Sequence, residues 1–320
     1  MGLEQQILQL FPEHLRFKWK EAAQLEAQLL EIRLRKKQPV ILGLDHMELY
    51  LTETGHLTEH IQEAQILQGQ EMEQILKHIC RYSFYAYEEE ISKGFISTDG
   101  GFRVGVAGEV ILDGEGNVKN IRCISSINIR IAHEKKDAAR PLLPWIYREG
   151  KLYNILLVSA PGCGKTTLLR DIIRLVSDGN DYGAGQTVGV VDERSEIAGC
   201  VQGVAQYDLG HRTDVLDGCP KAEGMYMLLR SMAPAVVAVD ELGGEADVRA
   251  LSQVLQCGCS VVATIHGESW ETLQKRPGLK MLFSEKMFQR ILFLEKEDNA
   301  FYVQSIFDAQ GNCLSDRIRC

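Results

Sequence analysis

The sequence predicts an α/β protein with a mostly parallel sheet in its second half and a smaller α+β region ahead of it. Three observations predict it. First, the apolar run Ile155-Leu156-Leu157-Val158 leads into Ser159-Ala160-Pro161-Gly162-Cys163-Gly164-Lys165-Thr166-Thr167, and that loop opens a helical stretch at Leu168-Leu169-Arg170-Asp171-Ile172-Ile173. Strand, glycine loop, Gly-Lys-Thr and helix form the layout of a phosphate-binding loop. Second, four apolar runs at 155–159, 188–192, 236–240 and 260–266 alternate with helical segments, as parallel strands buried on both faces do. Third, the stretch 132–154 changes character: it carries the charge run His133-Glu134-Lys135-Lys136-Asp137 and the prolines Pro141 and Pro144. This places a first domain at 1–132, a linker at 133–152 and a second domain at 153–320.

Taken in order, residues 25–32 have helical spacing, with Leu25, Leu29 and Ile32 on one face. Ile32-Arg33-Leu34-Arg35 then alternates, and Pro39-Val40-Ile41-Leu42 follows a short polar turn, which reads as a hairpin. The basic cluster Arg33, Arg35, Lys36 and Lys37 suits a solvated strand face; a phosphate or membrane-surface patch is the alternative. Helices are expected at 70–80 and 83–91, the latter capped by Ser83. From 95 to 131 the chain is rich in glycine and β-branched residues, with a turn at Asp113-Gly114-Glu115-Gly116-Asn117, and reads as a small sheet. Pro144-Trp145-Ile146-Tyr147 suits a short helix. Another helix is expected at 223–233, after the polar, turn-rich stretch 211–221. The chain closes with Ile291-Leu292-Phe293-Leu294, a polar turn at Glu297-Asp298-Asn299, and residues 301–307, an antiparallel hairpin at the sheet edge.

The composition of the 320 residues narrows the function. A 45% hydrophobic content supplies a core, and a net charge of −9 argues against non-specific coating of nucleic acid, so no nucleic-acid partner is expected. The apolar runs fall short of a membrane span. Met1-Gly2-Leu3-Glu4-Gln5-Gln6 is polar and acidic, so no signal peptide is expected. Nine cysteines are scattered without a C-x-x-C pair, and Cys257-Gly258-Cys259 has no second ligand pair. Free thiols in a reduced, cytosolic protein are the expectation.

The chemistry gathers at strand ends. Pro161, Gly162, Cys163, Gly164, Lys165, Thr166 and Thr167 are the candidate phosphate cradle; Ser159 stands where the pattern has its first glycine. Backbone N–H groups and the helix N-terminus suit phosphate oxygens, Lys165 the β- and γ-phosphates, and the Thr166 hydroxyl Mg²⁺. The run 235–239 ends in Asp240 and Glu241. Asp240 is the second candidate for holding Mg²⁺, and Glu241 for orienting the attacking water; an acidic strand end without a role is the alternative. His266 ends the next strand, where a polar group can sense the γ-phosphate. Glu193 and Arg194 lie in the loop after 188–192, at the sheet edge where open α/β folds bind ligands. Glu193 is a candidate for positioning water or Mg²⁺, and Arg194 for pairing with a carboxylate or acting on a neighbour's nucleotide. Arg212 is the first candidate for an arginine finger, with Arg103 and Arg130 as weaker ones; a plain salt bridge is the alternative for each arginine.

Together these residues resemble the stage III sporulation protein AA family. The resemblance rests on Glu31-Ile32-Arg33-Leu34-Arg35, Gly101-Phe102-Arg103-Val104-Gly105-Val106-Ala107-Gly108, and the loop–helix run 161–171. It rests further on Val191-Asp192-Glu193-Arg194-Ser195-Glu196-Ile197-Ala198-Gly199, Arg212-Thr213-Asp214-Val215-Leu216-Asp217 and Thr264-Ile265-His266-Gly267. The family is similar to the traffic ATPases of bacterial secretion systems, from which this sequence departs at Leu242-Gly243, where an arginine is common. The resemblance implies a RecA-like P-loop NTPase core behind a smaller α+β domain, with ATP and Mg²⁺ as cofactors. It also implies a homo-oligomer, a hexameric ring, and membrane proteins of the sporulation channel as partners. The site of action implied is the mother-cell cytoplasm. A nucleic-acid-dependent translocase and a non-hydrolysing, nucleotide-gated scaffold are the rival expectations.

Overall fold

The computed structural model describes residues 2–44, 47–131, 133–274, 277–297, 300–315 and 317–320. The chain divides into two compact units, Met1–His133 and Glu134–Cys320. Ala132 at the expected boundary and Asp298-Asn299 of the expected turn lie outside the described residues.

The first unit is built on an antiparallel sheet. Its strands are β1 (Leu29–Arg35), β2 (Ile41–Leu44), β3 (Glu48–Leu51), β4 (Leu57–Thr58), β5 (Phe95–Thr98), β6 (Phe102–Leu112) and β7 (Val118–Arg130). They lie in the order β4-β3-β2-β1-β7-β6-β5. Period-2 alternation decides the face: Ile32 and Leu34 are buried opposite Ile129 and Ile127, while Glu31 and Arg33 point the other way. Helix α1 (Gly69–Ile79) buries Met72, Ile75, Leu76 and Ile79, a 3.6-residue stripe, into the same core.

Two expectations for this unit fail. The helical spacing of 25–32 does not produce a helix there; the helix is Lys20–Gln24, and Leu29 already belongs to β1. Pairing with β2 on one side and β7 on the other outweighs a spacing that both structures can satisfy. The segment 83–91 is a 3-10 turn, Phe84–Tyr87, followed by a short helix, Glu88–Ser92, and Ser83 makes no side-chain cap bond. So short a segment has no helical stability of its own and follows its packing.

The second unit is a three-layer α/β structure. The strands of its main sheet are β8 (Ile155–Ser159), β9 (Val188–Asp192), β10 (Thr213–Asp217), β11 (Val236–Val239), β12 (Ser260–His266), β13 (Arg290–Glu297), β14 (Ala300–Phe307), β15 (Cys313–Ser315) and β16 (Ile318–Arg319). The described strands run β10-β9-β11-β12-β8-β13-β14-β15, with β16 also paired to β14. The strands from β10 to β13 are parallel, and β14 returns antiparallel on β13, in keeping with the closing hairpin expected from the sequence.

Alternation along β8 divides the core. Ile155 and Leu157 pack with Leu168, Leu169, Ile172 and Ile173 of helix α2 (Lys165–Asp178). Leu156 and Val158 pack on the other face with Met225 and Leu228 of α3 (Lys221–Ser231) and Val248, Leu251 and Val254 of α4 (Glu245–Gln256).

Two findings here differ from the sequence reading. The stretch that reads as loop at 213–217 is strand β10, an edge strand with half-exposed faces, so it carries no apolar run to mark it. Residues 134–152, which read as linker, are structured in this unit. Ala139, Leu142, Leu143 and Ile146 are buried in its core, and Asp171 accepts the amides of Asp137 (3.1 Å) and Ala139 (2.8 Å).

Candidate active site

Parallel pairing brings the candidate residues to one edge of the second sheet. Ser159 at the end of β8 stands level with His266 at the end of β12, and Val239, just before Asp240, stands level with Ala263. The loop 160–164 turns sharply from β8 into α2. Gly162 and Gly164 take φ values of +77° and +79°, a region costly for any residue with a Cβ. Helix α2 therefore begins at Lys165 with its first amides at the sheet edge.

Lys165 is only 7% exposed. Its Nζ donates to Ser159 O (3.0 Å), Ser159 Oγ (3.0 Å) and Ala160 O (3.1 Å), and lies 3.1 Å from His266 Nδ1. Ser159, in the place of the pattern's first glycine, thus binds the lysine through both its oxygens. Burial pushes the Lys165 ammonium below the ordinary lysine value, against the pull of Asp240 and Glu241. The other ring nitrogen of His266, Nε2, lies 2.6 Å from Glu241 Oε1. The other oxygen of Glu241 accepts from Arg194 Nη1 at 2.6 Å. Arg194, Glu241, His266 and Lys165 form one continuous chain of contacts.

Asp240 is held between two threonines. Thr166 Oγ1 donates to Oδ2 at 3.0 Å, and Thr264 Oγ1 donates to Oδ1. Thr264 Oγ1 also accepts the amide of Glu241 at 2.8 Å. One buried hydroxyl therefore sets the position of both carboxylate residues. Glu241 has φ +53°, a sparsely populated region for a non-glycine residue, in the turn that leaves β11. Hydroxyl and carboxylate oxygens are the hard donors that Mg²⁺ takes, and a Mg²⁺ site completes its octahedron with water and phosphate oxygens. The donor pair Thr166 and Asp240 fits that demand. Among the described residues no group of three or more His, Cys, Asp or Glu could form an all-protein metal cage.

The loop after β9 is built by Asp192, 1% exposed, whose carboxylate accepts the amides of Glu196 (2.8 Å), Ile197 (2.9 Å) and Ala198 (2.8 Å). Burial pushes its carboxyl above the ordinary value, against those three bonds. The clasp presents Arg194 to Glu241. Glu193 pairs instead with Lys221 at the start of α3. Arg194, Lys221, Glu241 and His266 line a cleft of about 350 Å³ with Leu242 and Asp247.

Arg212 is not brought to this cluster. It precedes β10, level with the start of β9, so the length of the strand separates it from the loop edge. Its Nη1 donates to Ser177 O at 2.9 Å, a structural contact. In the first unit Arg103 stacks 3.8 Å over the Phe95 ring and pairs in register with Arg130. Two residues with evident positioning geometry, Thr264 and Asp192, drew no role from the sequence. Their signal was there: a polar side chain at the end of an otherwise apolar strand.

The sequence profile of the family described as sporulation stage III, protein AA matches residues 1–314. Stage III sporulation protein AA of Bacillus subtilis (strain 168) is 42% identical over 311 residues, 97% of each chain. The chain belongs to this family. Among solved structures, the Legionella pneumophila ATPase DotB superposes with a TM-score of 0.59 at 16% identity, over 97% of this chain and 80% of that one. The pilus retraction motor PilT, solved with bound ADP, gives 0.55 at 14% identity, over 87% and 77%. The chain thus shares the fold of DotB and PilT: a RecA-like α/β core with a separate antiparallel-sheet domain before it.

Proposed function

We propose that this member of the sporulation stage III protein AA family is a Mg²⁺-dependent ATP hydrolase that works as a secretion-type motor in endospore formation. The observation that carries the reading is the convergence of Lys165, Thr166, Asp240, Glu241 and His266 at the end of a glycine loop and a helix N-terminus. The loop amides and the first turn of α2 bind the phosphates. Lys165 exchanges its contact with His266 for the β- and γ-phosphate oxygens, and the freed His266 senses the terminal phosphate. Glu241 orients the attacking water, with Arg194 holding its carboxylate in place. Thr166 and Asp240 would hold Mg²⁺, which would supply positive charge against the phosphates.

The neighbours in fold support self-association, and a hexameric ring is the proposed assembly. Its proposed partners are membrane proteins of the channel between mother cell and forespore, reached from the mother-cell cytoplasm. Among the described residues no helix is long and apolar enough to cross a membrane. Arg212 remains a proposal only as a group acting on a neighbouring subunit.

The test is Mg-ATP hydrolysis by the purified chain with and without nucleic acid, beside Lys165→Ala and Glu241→Gln. Expected are turnover abolished in both variants, nucleotide binding lost only in Lys165→Ala, and no stimulation by nucleic acid. Full turnover in Glu241→Gln would overturn the water-orienting assignment. Strong stimulation by single- or double-stranded nucleic acid would favour a translocase.

A further inference from the structure

We propose that Phe301 is the platform on which the purine base of the nucleotide stacks, with Lys135 and Lys296 as a cationic rim. The inference rests on the nucleotide-binding reading above and adds where the base lies. Strand register gives the first argument. Val158 of β8 is level with Phe293 of β13, so Lys296, three residues further on, projects past the end of β8 to the height of the phosphate loop. Phe301 is the antiparallel partner of Lys296. The paired ends of β13 and β14, at Lys296 and Phe301, thus stand beside the loop rather than beneath it.

The second argument is contact. A Cβ added to Gly164 would lie 2.6 Å from Phe301 Cδ1 and 2.7 Å from Cε1, so the ring rests directly against the glycine that precedes Lys165. Gly162, at the other bend of the loop, is open: a Cβ there would find nothing within 4 Å. The ring is only half-buried. The third argument is direction. Asp240, Glu241 and His266 occupy the β11–β12 side of β8, so the γ-phosphate end of a nucleotide belongs there. The α-phosphate, ribose and base must then leave on the β13–β14 side, where Phe301 is an aromatic surface touching the loop. A flat apolar ring suits the face of a base. Lys135 Nζ and Lys296 Nζ lie over the ring, 5.5 Å and 5.8 Å from its centroid; a stacking base would displace these flexible cations to its edge, where its acceptor atoms or the ribose hydroxyls take them. Stacking reads no base edge, so the platform serves adenine and guanine alike.

The experiment compares binding of ATP, GTP and inorganic tripolyphosphate, each with Mg²⁺, to the full chain and to Phe301→Leu and Phe301→Tyr. Leucine keeps an apolar side chain against Gly164 without an aromatic face; tyrosine restores the face. Expected for Phe301→Leu is a loss of about 5- to 150-fold for both nucleotides, the range of base–aromatic stacking, with tripolyphosphate affinity unchanged and Phe301→Tyr near wild type. Equal loss for tripolyphosphate would show that Phe301 only props the loop and would overturn the proposal. Undiminished ATP affinity in Phe301→Leu would overturn it as well, while leaving the nucleotide site intact. Absence of both ATP and tripolyphosphate binding in the unaltered chain would remove the nucleotide reading itself.

Discussion

Replacing Thr264 by valine removes one hydroxyl and keeps the side chain's shape and its β-branched fit to a strand. That hydroxyl accepts the Glu241 amide at 2.8 Å and donates to Asp240. Thr264 is fully buried, so no water can replace it at the strand end. An amide left without a partner costs about 1–3 kcal/mol, and the bond to a carboxylate contributes ~1.5–3 kcal/mol when buried. Asp240 is half-exposed, which discounts the second figure, so the variant should lose about 2–3 kcal/mol in all. For a domain of this size that lowers Tm by roughly 5–10 °C. Turnover should suffer more. Both carboxylate residues lose their common anchor, and a displacement near 1 Å at a reacting group costs about 100-fold. The phosphate loop is untouched, so KM for Mg-ATP should stay within about threefold of wild type. Thermal denaturation with steady-state hydrolysis measures both effects. Thr264→Ser, which returns the hydroxyl, should recover most of the loss. A valine variant with wild-type Tm and turnover would refute the positioning role, as would a serine variant no better than valine.

Asp171→Ala should destabilise the second unit by about 3–5 kcal/mol in urea denaturation, because it strips a buried carboxylate from Arg174 and two amides. A change under about 1 kcal/mol would show that 137–139 hold to α2 without it. Arg194→Ala should move Tm little, since its side chain is 60% exposed and such pairs are worth about 0–1 kcal/mol; a large fall in Tm would mean the pair also supports the fold. In the first unit, burial pushes the Cys80 thiol up to about 12 and, in the second, the Cys200 thiol up to about 11. At pH 8 iodoacetamide should therefore modify exposed Cys123, Cys257 and Cys313 well before these two, read by mass spectrometry. The same shifts have a stability sign: unfolded thiols ionise first, so the fold loses stability as pH rises above about 9. Stability flat from pH 8 to 10 would count against both shifts.

What the sequence determined by itself was whatever is contiguous. The strand, glycine loop and helix from Ile155 to Asp178 lie in one unbroken run, and their chemistry follows from residues a few positions apart. Strands buried on both faces announced themselves as apolar runs with helical segments between them. The tertiary structure decided what depends on partners distant in the chain. His266 meets Lys165 from 101 residues away, and Arg194 meets Glu241 from 47; no local pattern encodes such pairings. The half-exposed edge strand β10 and the strand–helix choice at Leu29 were settled by neighbouring strands, since short segments have too little intrinsic preference to settle them alone. The same physics separated the arginines. Arg194 and Arg212 look equivalent as basic residues in polar stretches, yet one follows the end of β9 and the other precedes β10, and parallel pairing sends them to opposite edges of the sheet.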